Sequence, residues 1–263
     1  MQHPMRLAVL WVVAIAALTA MLLIDPIPQP LSYHGFADSR TLFGIPNFWN
    51  VISNVPFLLV GIAGVVIVVK GDYSGGLPSL RVAYGVFFAG VAAVCFGSGY
   101  YHLNPNNETL LWDRLPIAVA FMVFVAIVAG EHIDERLSRI SVLPLMALGA
   151  YSVWYWGYTE SIGKGDLRLY GLVQFLSLVL VVITFLLFPS RLSTMKYAWG
   201  MVGGYALAKI FESLDATIYS WGHVLSGHAL KHFAAAAGMY CLVLALRRRT
   251  VAEATGESLV VSR

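Results

Sequence analysis

Charged side chains are scarce in this chain. Only 12% of its 263 residues are Asp, Glu, Lys or Arg, about half of the ~25% usual in a soluble domain, which excludes a soluble globular protein with a large core. The net charge of +3 is small and scattered, so no basic patch for nucleic acid is expected. Cysteine is nearly absent. Cys95 and Cys241 each sit inside an apolar run, which excludes a disulfide framework and a cysteine metal site. No internal repeat is evident.

Hydrophobic residues fill that space, at 59% of the chain. They form runs long enough to cross a bilayer, which takes about 20 apolar residues. The first run is Leu7 to Ile24. It is longer than the apolar stretch of a secretory signal and lacks a clear small-x-small cleavage site before Asp25, so a retained helix is the expectation. A polar, proline-bearing connector follows. Further spans are expected at Asn47–Val69, Leu80–Tyr101, Trp112–Gly130, Ile140–Trp156, Leu169–Phe188, Tyr197–Leu214 and Val224–Leu246. The charged stretch Glu131–Arg139 is expected to lie outside the lipid. The fold class is therefore all-α, a polytopic transmembrane bundle of eight spans. Residues 1–46 form an N-terminal helix and outer connector, 47–246 a seven-helix core, and 247–263 a basic, disordered tail.

Lysine and arginine set the expected orientation. With eight spans, the N-terminus, the 70–81, 131–139 and 189–196 loops and the C-terminus share a side and carry 11 of the 17 basic residues, against 4 in the opposite loops. Both termini should then be cytoplasmic.

Three polar constellations fall at the opposite, outer side. Ser98 and His102 are four apart and share a helix face. Asp113 lies near the outer end of the next span. His228 and His232 are also i, i+4, the spacing with which two imidazoles of one helix grip one metal. Alone, that pair reads as ordinary contacts between helices. Histidines within spans, however, are costly and usually functional, and His102 arrives at the same depth. Zinc bound by His102, His228 and His232 is the expectation. Three neutral imidazoles leave one tetrahedral position open, the pattern of a catalytic site. Two histidines on one helix do not suit opposite axial positions of a haem.

Each remaining polar residue also has a structural reading. Asp113 is placed to cap its helix, and Ser98 is small enough to be a packing residue between Gly97 and Gly99. Asn47, Asn50 and Asn54 share a face and read as hydrogen-bonding residues between helices. Glu212 pairs most simply with Lys209 three residues earlier; support of a metal histidine by Glu212 or Asp215 is the sharper reading. His223 lies off the metal face, and His3, His34 and His132 belong to loops or ends. Trp112, Trp221 and Tyr219 read as interfacial anchors.

Taken together, Ser98-x-x-x-His102, Asp113 with Leu115-Pro116, and Gly227-His228-x-x-x-His232 resemble the alkaline ceramidase family, within the wider CREST superfamily of membrane hydrolases. Phe48-Trp49-Asn50 through Ser53-Asn54 resembles that family's first helix, and Phe211-Glu212-Ser213-Leu214 a later one. The resemblance covers about Asn47 to Leu246, with Leu7–Ile24 extra to it. It implies a seven-helix bundle, zinc on three histidines, an aspartate and a serine (here Asp113 and Ser98) beside the metal as catalytic groups, and hydrolysis of the amide of ceramide or a related N-acyl lipid. A bacterial cytoplasmic membrane is the expected location. A receptor on the same scaffold, as in the progestin and adipoQ receptor family, is the alternative. A transporter is disfavoured, since no paired broken helices are evident.

Two departures matter. Eukaryotic members carry an acidic calcium-binding stretch before the first core helix. Here HGFADSRTLFGIPN offers only Asp38 and Asn47, which argues against calcium regulation. Lys231 precedes His232 where ceramidases tend to have tryptophan, a change that bears on the lipid rather than the metal.

Overall fold

The computed structural model describes residues 2–190 and 192–250, and among these the chain is all-helical. In order, its α-helices are α1 (His3–Leu23), α2 (Phe48–Ile52), α3 (Val55–Lys70), α4 (Arg81–Leu103), α5 (Asn107–His132), α6 (Glu135–Ser161), α7 (Arg168–Leu187), α8 (Lys196–Ser213), α9 (Asp215–Ser220) and α10 (Gly227–Arg248). Short 3-10 turns occupy Leu31–His34 and Pro78–Leu80.

Among the described residues, seven helical segments are long and apolar enough to cross a membrane: α1, α2 with α3, α4 with its preceding turn, α5, α6, α7 and α10. Helix α8 is not among them. Its 18 residues include Lys196, Lys209 and Glu212, yet it packs along α10 as an integral part of the bundle. Around α5 stand α4, α6 and α7; α3 bridges α4 and α10; and α1 lies against α7. No residue of α1 is buried, and its Trp11 and Leu22 face outward, as suits a helix whose neighbour is lipid.

The loops sort into two ends. At one, His3 packs on Phe188, His132 Nδ1 bonds the Phe188 carbonyl, and Gly75 N–H donates to Leu246. At the other, Leu167 N–H donates to Ile27, Gln29 N–H to Glu160, and Ala37 N–H to Asp215.

Two expectations change. Glu131–Arg139 is mostly helical rather than a loop between spans, although Asp134, Arg136 and Arg139 are exposed. Helix α5 runs through His132 and α6 starts at Glu135. Glu131 is buried because Arg249 grips it in a two-pronged pair, at 2.9 and 2.8 Å, while the Tyr84 hydroxyl donates to it at 2.7 Å. Arg249, read from sequence as part of a basic tail, is thus buried at the base of the bundle; residues 251–263 of that tail lie outside the described residues. The second span is broken, too. A turn at Ser53–Asn54, followed by Pro56 in the first turn of α3, separates α2 from α3.

Candidate active site

His102 sits in the last turn of α4, and His228 and His232 in the first two turns of α10. All three are buried. One ligand nitrogen from each lies within 4.8 Å of the others. His102 Nε2 and His228 Nε2 are 3.3 Å apart. Two nitrogens on a tetrahedral zinc, with Zn–N of about 2.0–2.1 Å, stand about 3.3–3.4 Å apart. The donor set and its spacing therefore fit the ion.

Two glycines bring these helices together. A Cβ on Gly97 would stand 2.1 Å from the Trp112 carbonyl oxygen, and one on Gly227 would stand 2.1 Å from that of Phe211. Only a hydrogen fits at either position. The first approach sets Ser98 and His102 beside the Asp113 turn of α5. The second presses the start of α10 into the corner between α8 and α9.

The end of α10 is also well satisfied. The Ser226 side chain caps it by accepting from Ala229 N–H. Asp215 accepts from His228 N–H at 2.7 Å and from Ala37 N–H at 3.0 Å, filling one of the orphan donors of a helix start. Asp215 thus supports a histidine through its backbone, not its ring.

The ring of His232 has its own partner, one that sequence reasoning missed. Ser53 Oγ lies 2.7 Å from His232 Nδ1. The Ser53 hydroxyl also faces the Asn50 carbonyl at 3.4 Å. If Ser53 donates to Asn50 and accepts from Nδ1–H, the Nε2 lone pair is left facing the other imidazoles. The only signal was Ser53's place in the FWNVISN stretch. Of the asparagines read as joining helices, Asn47 does so, donating to the His102 carbonyl of α4 at 2.9 Å, whereas Asn50 donates to the Asp38 carbonyl of the connector and Asn54 to the Asn50 carbonyl within its own segment.

Asp113 does not cap α5. That helix starts six residues earlier, where Asn106 and Thr109 form a reciprocal capping box, so the Asp113 carboxylate is free of that duty. The buried Ser98 hydroxyl is within reach of it. Glu212 pairs with Lys209, as expected, and also with Lys231 at 2.7 Å.

The connector, featureless in sequence, roofs the cluster. Phe36 packs on His102 and His228 with ring centroids 4.8 and 4.4 Å apart. His34 is held between Tyr101 and Asn107. Both Asp38 oxygens are taken by Arg40, at 2.8 and 2.7 Å. Burial works against the Asp38 charge, but the hydrogen bonds and charge of Arg40 outweigh it and hold the carboxyl below its usual range. The Asp38 oxygens, the acidic donors of this stretch, are therefore already taken.

Beneath the cluster runs one cavity of about 780 Å³, within the ~300–1,000 Å³ of ligand sites. Ser98, Asp113 and His232 share its lining with Lys231 and Glu212, and its walls are otherwise mostly apolar residues of α4, α5, α7, α8 and α10. Ala17, Ala20 and Met21 of α1 close one flank. His223 is outside it, edge-on to Tyr219, and His132 lies at the opposite end of the bundle. Trp112 and Trp221 are exposed. Both cysteines are free.

Comparison with protein families decides the affiliation. The model of the ceramidase family matches residues 44–260. The chain belongs to the ceramidase family. A comparison with curated proteins returned no match. The match takes in the histidines, Ser98 and Asp113, and leaves out α1 and the first part of the connector. This ceramidase-family chain is thus a multi-pass membrane protein of a hydrolase family, with a lipid-sized cavity ending at a triad of histidines.

Proposed function

We propose that the protein is a zinc-dependent amidohydrolase that cleaves ceramide or a related N-acyl lipid. The observation that carries this reading is the triad itself: three buried imidazoles with ligand nitrogens within 4.8 Å of one another, at the polar end of an apolar cavity, in a chain of the ceramidase family. His102, His228 and His232 would hold the ion. Zinc in such a site polarises a carbonyl and lowers the pKa of water to about 7.

The chain's own residues supply the rest. The acyl chain lies in the apolar part of the cavity, leaving the amide among Ser98, Asp113 and His232. Asp113 takes a proton from the attacking water as the C–O bond forms. It returns that proton to nitrogen as the C–N bond breaks, because the amine departs poorly as an anion. Ser98 turns its hydroxyl from Asp113 toward the developing oxyanion. The products are a fatty acid and a free amine. Phe36 and the connector keep bulk water from the imidazoles. From the basic-residue balance, the site end of the bundle faces outward and both termini are cytoplasmic.

Ser98→Ala and Asp113→Asn test the assignment. Losing one oxyanion donor typically costs about 100- to 1,000-fold in rate. Both variants should keep zinc yet turn over a short-chain fluorescent N-acyl-sphingosine at least about 100-fold more slowly, with KM changed far less. Wild-type rates in both would remove these residues from the mechanism. A zinc-loaded wild type that cleaves no lipid amide in a broad panel would favour the receptor reading.

A further inference from the structure

The amide-handling groups do not account for Arg114. It follows Asp113 on α5, lines the same cavity, and is only 6% exposed. Three other buried or half-buried cations of the bundle have carboxylates: Arg249 has Glu131, Arg168 has Asp166, and Lys231 has Glu212. Among the described residues Arg114 has none within ion-pair distance. Its Nη2 donates to the Gln29 side-chain oxygen, a neutral acceptor. Its Nη1 is buried with no hydrogen-bond partner.

The guanidinium is nevertheless held in place. Its central carbon lies 4.2 Å from the Trp156 ring, 4.7 Å from Tyr170 and 5.6 Å from Tyr33. Aromatic faces fix its plane and offset part of its charge, but they cannot accept from Nη1. A buried arginine without an anion is expensive, and each unsatisfied polar atom adds to the cost. Two further polar atoms of the cavity wall are orphaned in the same way, the Tyr205 hydroxyl and Asn54 Oδ1. Two of these, Arg114 Nη1 on α5 and the Tyr205 hydroxyl on α8, are donors without acceptors in the wall of one apolar cavity, and they point to a ligand that supplies the acceptors.

We propose that Arg114 is the anchor for the carboxylate of an amphiphile bound in this cavity. One unneutralised cation calls for a monoanion. A carboxylate fits a guanidinium whose faces are covered and whose Nη1 still lacks an acceptor. Two sources carry this chemistry. One is the head group of an N-acyl amino acid, which would make the preferred amide anionic rather than neutral. The other is the fatty acid that amide hydrolysis releases. The proposal rests on the amidase reading only in naming these sources.

The experiment compares two matched pairs on full-length, detergent-solubilised protein. Palmitate and hexadecanol differ only at the polar end and contain no amide. Their affinities are read by displacement of a fluorescent fatty acid. N-palmitoylglycine and N-palmitoylethanolamine are compared by kcat/KM, or by the same displacement if neither is turned over. A charge-assisted hydrogen bond in a buried site is expected to favour the carboxylate member about 10- to 100-fold. That preference should vanish in Arg114→Gln and survive in part in Arg114→Lys. Preference within the amide pair alone assigns the head group, and preference within the palmitate pair alone assigns the released acid. A wild type that shows no preference in either pair overturns the proposal without recourse to any variant. So does a preference that Arg114→Gln leaves intact. Failure to cleave either amide, with palmitate still preferred, removes the amidase reading and leaves the anchor standing.

Discussion

Ser53→Ala removes a single hydroxyl that is fully buried and touches no substrate-sized space, yet it should weaken the metal site. Ser53 Oγ is the partner of His232 Nδ1 at 2.7 Å, and Ser53 is 0% exposed, so no bulk water can take its place. Without it His232 has two poor choices. It can keep its proton on Nδ1, unpartnered in a buried position, at a cost of about 1–3 kcal/mol. Or it can shift the proton to Nε2, which then points a hydrogen at the other two imidazoles and cannot ligate. Either way the binding-competent tautomer loses about 1.4–2.7 kcal/mol, the equivalent of the 10- to 100-fold in affinity that partners of metal-bound histidines typically contribute. The assay is competition for zinc between the purified protein and a chelator of known affinity, for wild type, Ser53→Ala and His232→Ala. The expected order of affinity is wild type, then Ser53→Ala about 10- to 100-fold weaker, then His232→Ala weaker still. Wild-type affinity in Ser53→Ala would mean that the serine does not set the ring, and that the tautomer argument is wrong.

The other predictions concern architecture. A cysteine at Asn106, in the loop at the site end, should react with an impermeant maleimide on intact cells; labelling only after the membrane is opened would reverse the orientation. Arg249→Ala should destabilise the bundle by about 3–5 kcal/mol by stranding the buried Glu131 charge, read as loss of thermal stability in detergent. The double replacement Arg249→Met with Glu131→Leu should recover much of that loss, and equal damage from both would deny that stranded charge is the cause.

Much of the site was legible because its signals are local. His228 and His232 share a helix face by spacing alone, and the alternation of apolar runs put His102 and Asp113 at their depth. The apolar runs also gave the bundle, except that α8 carries Lys196, Lys209 and Glu212, the last two paired with each other at the cavity wall, so its composition understates its place in the bundle. What sequence could not give depends on distant pairing. Glu131 and Arg249, 118 residues apart, looked like exposed loop and tail charges because nothing local says that they meet. The connector's role as a roof rests on irregular backbone held by Asp215 and Glu160, with His34 held by Asn107, and it has no period to detect. Asp113 was open to a capping role until Asn106 was seen to fill it. Ser53 had no role of its own in the sequence, and only the break between α2 and α3 turns it toward His232.

The central claim is that zinc on His102, His228 and His232 supports hydrolysis of a lipid amide. Its most direct test is fatty-acid release from an N-acyl-sphingosine by one preparation of the purified protein, measured as isolated, after its metal is stripped by chelation, and after stoichiometric zinc is restored. The account predicts release that disappears on stripping and returns with about one zinc per chain. Release that continues at the original rate from protein shown by elemental analysis to be metal-free would contradict it.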